Sequence, residues 1–335
     1  MNTQFTASSS PLLRLGHTMA FTVYLRHIGA PADRYLRTVK LPVLCDDPNK
    51  FVQLARVWAF FFEGTRREDV NLGWHVGAHA GDRNLNAALL AKLERAPTLY
   101  QSLHRLVHMV REEASHLQLG IQERQDDILF YTRYPGMNEV PGYEASQAYQ
   151  LGLFLDLIRH FLGRHWVPDE IGIEHPRAPA VLDAYFPGTR VRTRQPMGYI
   201  AVARACLHRT KAGPVQDKRA NDTPAPINEL RFVDVLRAVL RAYLPDGYPS
   251  ARFSAELMNV SERTLARRLA DCGLTYGTLI DEVRFAEAKK LLLVPGARIE
   301  DVAISVGFID QSNFTRMFRR IGGLTPTEYR KATQH

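Results

Sequence analysis

The chain has 335 residues, enough for two domains with ordinary cores, and its 45% hydrophobic and 23% charged content fits a soluble globular protein. Its formal net charge of +8 suits a polyanionic partner, but the excess is spread over both halves, so charge alone does not locate a binding site. Three separated cysteines (Cys45, Cys206 and Cys272) argue against a disulfide framework. The polar start MNTQFTASSSP lacks the pattern of a signal peptide, and no apolar run approaches the ~20 residues of a membrane span, so we expect a cytoplasmic protein without a membrane partner.

The amino-terminal two thirds mix helical periodicity with strand-like alternation. Helices are predicted over residues 21–29, 49–64, 86–96, 98–114 and 143–165. Strands are predicted over 116–124 and 127–134, which are joined at Gln125 and Asp126, and over 170–175, 189–194 and 198–203, with a short helix over 180–186. We interpret residues 1–209 as one α+β domain.

Residues 210–226 are rich in proline, alanine and charged residues and have no periodicity, which indicates a flexible linker. The remaining residues, 227–335, are predicted to be all α.

Within that last part, residues 250–273 predict a short helix, a turn at Asn259 and Val260, and a second helix capped by Ser261. A second copy follows from Ile299, in which IEDVAISVGF predicts a helix that ends at Gly307 and DQSNFTRMFRRIGG predicts the next helix, capped by Asp310 or Ser312. A helix, a tight turn and a second helix with an exposed polar face is the helix-turn-helix arrangement, whose second helix enters the major groove.

Between the copies, the segment from Thr275 to Leu293 predicts one helix of roughly 28 Å at ~1.5 Å per residue. With the turns at its ends, a linker helix of this length would separate the two recognition helices by close to ~34 Å, the helical repeat of DNA. One monomer is therefore predicted to contact two successive major grooves.

These segments resemble the DNA-binding domain of the AraC/XylS family of bacterial transcription regulators. The resemblance depends on SERTLARRL, on DEVRFAEAKKLL and on IEDVAISVGFIDQSNFTRMFRRIGGLTPTEYR. Residues 1–209 also resemble the arabinose-binding-like sensor domain of a subfamily of these regulators, through the PTLYQSLHRLVHMV helix, the strand pair, GLFLDLIRHFLGRHWVP, IGIEHP and the YFPGTRVR stretch. The resemblance implies an α+β sensor domain followed by an all-α domain of two helix-turn-helix motifs joined by a linker helix.

Side-chain chemistry and the family's recognition-helix positions together give the candidate DNA contacts. Arginine forks suit guanine, and amides suit adenine. The base-reading candidates are Arg263, Thr264, Arg267, Gln311, Ser312, Asn313 and Arg316. The phosphate-contacting candidates are Arg268, Arg319 and Arg320.

The resemblance further implies a transcription regulator that acts on promoter DNA and RNA polymerase, more often as an activator, and that senses a small molecule. It identifies neither the effector nor its binding residues. The many arginines and histidines of the sensor half suggest a carboxylate-bearing effector.

Leu153 and Leu157 lie opposite the main apolar stripe of the helix over 143–165, so they are either buried within their own domain or part of a homodimer contact. The pairs His75/His79 and His104/His108 have helical i, i+4 spacing, but no further ligands accompany them, and we predict neither a metal site nor a cofactor.

No sequence motif nominates a nucleophile or a base, so we do not expect an enzyme. Two alternatives remain. One is an enzyme that modifies nucleic acid and uses the carboxy-terminal domain for targeting, and the other is an architectural DNA-binding protein with little sequence preference.

Overall fold

The computed structural model describes residues 11–43, 47, 49–78, 93, 95–210 and 232–333. These residues form two compact units, one with residues 11–39 and 54–210 and the other with 232–333 and the described part of 40–53. The predicted linker, apart from Thr210, lies outside the described residues, as does most of the helix predicted over 86–96.

The first unit combines helices with a mixed sheet, in agreement with the predicted α+β class. Its helices are α1 (Gly16–His27), α2 (Ala32–Thr38), α3 (Leu54–Arg67), α4 (Leu72–Ala78), α5 (Leu99–Met109), α6 (Tyr143–Leu162) and α7 (Val181–Tyr185). Its strands are β1 (Leu12–Arg14), β3 (Gln118–Glu123), β4 (Asp127–Arg133), β5 (Glu170–Gly172), β6 (Arg190–Arg192) and β7 (Gly198–Ala203). Strand β2 (Phe51–Gln53) belongs to the second unit.

Five strands form a sheet in the order β3-β4-β7-β5-β6. The predicted hairpin is present, with Gln118 opposite Arg133 and Glu123 opposite Ile128. Strand β7 lies between β4 and β5 and is antiparallel to both, whereas β5 and β6 are parallel. Strand β7 therefore occupies the centre of the sheet, and its residues 198–202 are buried.

Several element boundaries differ from the prediction, and two of the differences have a local physical cause. Residues 51–53 form a strand instead of the start of a helix, because Phe51 and Val52 are an aromatic and a β-branched residue, types that favour extended backbone. Helix α6 ends at Leu162, three residues early, because Gly163 adopts a φ of 97° that a helix cannot continue.

Helix α6 is the central helix of the first unit, and helix α4 lies directly against it. A Cβ atom placed on Gly152 would come within 2.5 Å of the Gly77 carbonyl carbon, so only glycine permits this close approach of the two backbones. Leu153 and Leu157 of α6 are buried, at 3% and 6% exposure. This burial favours the interpretation of a helix enclosed within its own unit, and the dimer contact stays a prediction.

In the described part of the second unit, β2 is the only strand and the other regular elements are helical. Its helices are α8 (Phe232–Tyr243), α9 (Ala251–Leu257), α10 (Glu262–Ala270), α11 (Tyr276–Leu292), α12 (Ile299–Ser305), α13 (Gln311–Gly322) and α14 (Pro326–Thr333). Helix α11 is the predicted linker helix, and it packs against α8, α12 and α13. Among the described helices of both units, none combines the length and the apolar character that crossing a bilayer requires.

The described residues of 40–53 belong to this unit, although its helices begin only at residue 232, almost two hundred residues later. The Tyr243 hydroxyl donates to the Lys40 carbonyl at 3.0 Å, and the Val43 amide donates to Asp246 at 3.2 Å. The Lys40 ammonium pairs with the Glu256 carboxylate. The amino-terminal third of the chain thus supplies part of the helical unit.

Candidate nucleic-acid interface

The first helix pair consists of α9 and α10, with a tight turn between them. Asn259 takes up the left-handed conformation at the turn, with a φ of 52°, as its short polar side chain permits. The Ser261 hydroxyl accepts a hydrogen bond from the Thr264 amide at 3.1 Å and so caps α10. Leu265 and Leu269 are buried, so the opposite face of α10 is turned to solvent.

That solvent face contains the predicted contacts of the first motif. Arg263 and Arg267 are exposed and lie one turn apart. Thr264 is half-buried, and its hydroxyl hydrogen-bonds to Ser261 at 2.9 Å, which commits it partly to the cap. Arg268 is also half-buried, and its guanidinium lies 4.5 Å from the centre of the Phe232 ring. Arg263 and Arg267 are therefore more accessible to DNA than Thr264 and Arg268.

The second helix pair consists of α12 and α13. Gly307 forms the turn with a φ of 79°. Of the two predicted caps, Asp310 is the one in place, since its carboxylate accepts from the Asn313 amide at 2.8 Å. This hydrogen bond to the backbone is the main reason why the pKa of Asp310 is lowered. Phe314 and Phe318 are buried.

The outward face of α13 carries every candidate that the sequence assigns to the second motif. Gln311, Ser312, Asn313, Arg316, Arg319 and Arg320 are all exposed. Arg316 donates to the Asn313 side-chain oxygen, and Asn313 in turn donates to Asp310. Arg320 pairs with Asp281 of α11. Asn313, Arg316 and Arg320 must therefore exchange these partners for DNA atoms if they contact the duplex.

Sequence analysis did not single out Ile309, which immediately precedes the Asp310 cap. A hydrophobic residue at this position often packs on the fourth helical residue, which here is Phe314. In this structure Phe308 takes that place, with its ring centre 5.8 Å from that of Phe314. Ile309 is instead fully exposed, at 101% relative accessibility. Its side chain has no packing role in the described unit.

Arg284 of the linker helix is a second residue that sequence analysis missed. It is only 5% exposed, and its guanidinium lies 4.2 Å from the Phe308 ring centre and 4.6 Å from that of Tyr248. Its Nη2 donates to the Gly307 carbonyl at 2.8 Å. Burial lowers the pKa of this arginine, an effect that nearby Asp281 opposes. An arginine inside an apolar-looking helix could have been noticed as an interruption of its buried face.

The histidine pairs are only partly described. His75 hydrogen-bonds to Asp69 and lies 3.1 Å from the Tyr24 hydroxyl, whereas its predicted companion His79 lies outside the described residues. The His104 ring packs against Tyr100, with 4.3 Å between ring centres, and His108 is exposed. Each described member thus has an ordinary structural setting.

Two family models match the chain. The model of the arabinose-binding domain of AraC transcription regulators matches residues 29–210, more than half of the chain. A helix-turn-helix domain model matches residues 254–332.

Curated relatives match about a quarter of this chain. The HTH-type transcriptional regulator VqsM of Pseudomonas aeruginosa is 39% identical over 92 residues, which cover 27% of this chain and 27% of that protein. VirS of Mycobacterium tuberculosis, also an HTH-type transcriptional regulator, is 40% identical over 90 residues, which cover 27% of this chain and 26% of that protein. These matches thus span about a quarter of the length of either relative.

Among solved structures, the transcriptional regulator CdpR of Pseudomonas aeruginosa aligns with 90% of this chain and 96% of its own, at 20% identity and a TM-score of 0.38. Since the arabinose-binding model covers most of the first unit and the helix-turn-helix model covers both helix pairs, the chain belongs to the AraC family of transcription regulators.

Proposed function

We propose that this protein is a sequence-specific DNA-binding transcription regulator whose monomer contacts two successive major grooves. The observation that supports this most directly is the repeated geometry of the second unit. Two helix pairs each present an exposed polar face on their second helix, and one continuous helix joins them.

The length of α11 is consistent with the proposed spacing. Its 17 residues correspond to about 26 Å at ~1.5 Å per residue. Adding the turns at either end brings the recognition helices toward the ~34 Å repeat of B-DNA. This spacing is part of the proposal.

The contacts divide by chemistry. Arg263 and Arg267 are proposed to reach guanine edges in one groove. In the other groove, the proposed base contacts are Gln311, Ser312, Asn313 and Arg316. Thr264 is a secondary candidate because its hydroxyl already serves the cap.

The phosphate contacts are proposed to be Arg268, Arg319 and Arg320, which fix register without reading sequence.

We add Ile309 to the proposed base-reading residues. A fully exposed isoleucine beside the start of a recognition helix is suited to the C5 methyl group of thymine.

We further propose that residues 1–209 sense a small-molecule effector, that 210–226 link the two domains and that 227–335 bind promoter DNA. Effector binding must favour one state of the protein over another if it is to change DNA binding or contact with RNA polymerase. Activation, a homodimer and a cytoplasmic location remain predictions.

Selection from random duplexes, followed by titration of the selected site, tests the central proposal. A specific regulator should prefer that site by ~10³ or more over random DNA. Comparable affinity for both would favour the architectural alternative. The enzymatic alternative predicts covalent transfer or cleavage when damaged DNA is incubated with the protein, and we expect neither.

A further inference from the structure

A cavity of about 40 Å³ lies within the first unit, between helices α1, α3, α5 and α6. Most of its wall is apolar, and includes Phe61, Leu106, Val110, Leu153 and Phe154. The volume corresponds to about three water-sized spheres, so its present shape admits a short molecule or the end of a longer one.

One side of the cavity carries a buried polar cluster. The Glu113 carboxylate, 4% exposed, lies 3.1 Å from Arg14 Nε and 3.3 Å from His17 Nε2. His17 Nδ1 lies 3.2 Å from the Tyr149 hydroxyl. Burial, with a smaller effect from the Glu113 charge, raises the pKa of Tyr149, so this hydroxyl stays neutral. Burying such a cluster in an apolar core costs free energy unless each of its polar atoms has a hydrogen-bond partner.

Two polar atoms of the cavity wall have no hydrogen-bond partner among the described residues. Arg14 Nε directs its hydrogen to the Glu112 carbonyl at 2.8 Å, so Glu113 Oε1 accepts no hydrogen bond despite the nearby charge. The Tyr134 hydroxyl is buried and makes no hydrogen bond of good geometry, although the Gln150 amide is close enough to influence its pKa. A buried acceptor without a donor requires an explanation, and a molecule bound in the cavity would supply the missing donor.

The charges select the chemistry of that group. Arg14 already balances Glu113, so an ammonium would bring an uncompensated charge into an apolar cavity, and a carboxylate would place its charge beside another carboxylate. A hydroxyl group donates to Glu113 Oε1 without adding charge.

We propose that this cavity is the effector site and that it takes an uncharged, mostly apolar molecule ending in a hydroxyl, with short aliphatic alcohols as the simplest members. The inference rests on the proposed sensing function. It replaces the carboxylate suggested by composition with a ligand class derived from the cavity itself.

Saturation-transfer NMR on the full-length protein tests this, with 1-butanol and sodium butyrate as probes at equal concentration. We expect transfer to 1-butanol and none above background to butyrate. Equal transfer to both probes, or to neither, would overturn the inference, and the second result would indicate that water alone fills the cavity.

Two variants locate the binding. Ala114→Val adds two methyl groups to the cavity wall and should abolish the 1-butanol signal, whereas Ala201→Val adds the same groups at a buried position of β7 that does not line the cavity and should preserve it. Glu113→Gln should remove the discrimination between the probes. If that variant does not fold, the comparison of Ala114→Val with Ala201→Val still shows whether 1-butanol binds in the cavity. A 1-butanol signal that persists in Ala114→Val would place the probe elsewhere and contradict the inference.

Failure of the proposed function can be recognised separately. If 1-butanol binds in the expected pattern but the protein prefers no DNA sequence, the cavity inference is supported and the regulatory proposal is wrong. If specific DNA binding is found but neither probe binds, the regulatory proposal is supported and the cavity inference is wrong.

Discussion

Arg284 of the linker helix donates a hydrogen bond to the Gly307 carbonyl, at 2.8 Å, in the turn of the second helix pair. Gly307 lies at the point where α12 ends and the path to α13 begins. The guanidinium also lies over the Phe308 ring, one residue further along. This arginine therefore connects the middle of α11 directly to the turn that orients the second recognition helix.

Replacing Arg284 with methionine keeps an apolar stem but leaves the Gly307 carbonyl without its donor. We expect the free energy of unfolding of the helical unit to fall by about 1–3 kcal/mol. Protection of the second groove should weaken before that of the first. Denaturant unfolding and footprinting measure the two effects. Arg252→Met, at an 80% exposed side chain with one surface ion pair, is the control and should change stability by less than ~0.5 kcal/mol. Equal behaviour of the two variants would show that the Arg284 contact does not matter.

Arg267→Ala should relax preference at one base position and cost ~1 to 3 kcal/mol on the selected site, because a bidentate contact to guanine is lost. Binding to random DNA should change much less. Titrations on the selected site and on its single-base variants measure this. An unchanged preference at every position would remove Arg267 from the base-reading set.

Arg320→Ala should weaken binding to all sequences by a similar factor, because a phosphate contact carries no base information. The slope of log affinity against log salt should become less negative by about 1. Its pairing with Asp281 supplies a control, since Asp281→Asn removes the competing carboxylate and should strengthen binding to all sequences. A base-specific loss in Arg320→Ala would contradict the assignment.

Ile309→Ala should weaken binding to the selected site by roughly fourfold, the equivalent of one buried methyl-sized group at about 0.8 kcal/mol. Replacing the contacted thymine with deoxyuridine removes only the C5 methyl group and should weaken the parent protein equally. The combined change should add little to either one alone. Additive losses would show that isoleucine and methyl group do not touch.

Leu157→Glu places a carboxylate at a buried position of α6, and we expect loss of folding yield because burying a charge costs much free energy. Light scattering on the soluble fraction measures mass in solution. A folded variant that changed from dimer to monomer would instead support the dimer contact predicted from the helical wheel.

The two helix pairs of the second unit were predictable from their sequence because local signals agree with each other there. Ser261 and Asp310 cap helices, Asn259 and Gly307 form turns, and leucine and phenylalanine pairs recur with helical spacing. Each signal acts within a few residues, so the sequence alone reveals it.

Contacts between distant residues were not predictable in this way. Lys40 and Glu256 lie 216 residues apart, and no local pattern at either position indicates the pairing. The same holds for the Arg14 and Glu113 pair at the cavity, since a buried ion pair has no periodicity of its own. The sequence predicts a helix at residues 51–53, where the structure has a strand, because an amphipathic pattern continues across them into α3.

The exposed isoleucine shows a further limit of sequence patterns. Phe308 and Ile309 are both apolar, and the pattern alone does not tell which one packs on Phe314. Only the backbone geometry of the turn decides this.

Hydroxyl-radical footprinting of the full-length protein on its selected site, at a stoichiometry of one monomer per duplex, tests the central claim most directly. The account predicts two protected segments on one face of the DNA, about 10–10.5 base pairs apart, both present at the same protein concentration. Protection of a single segment by one monomer, or a second segment that appears only when a second monomer binds, would contradict it.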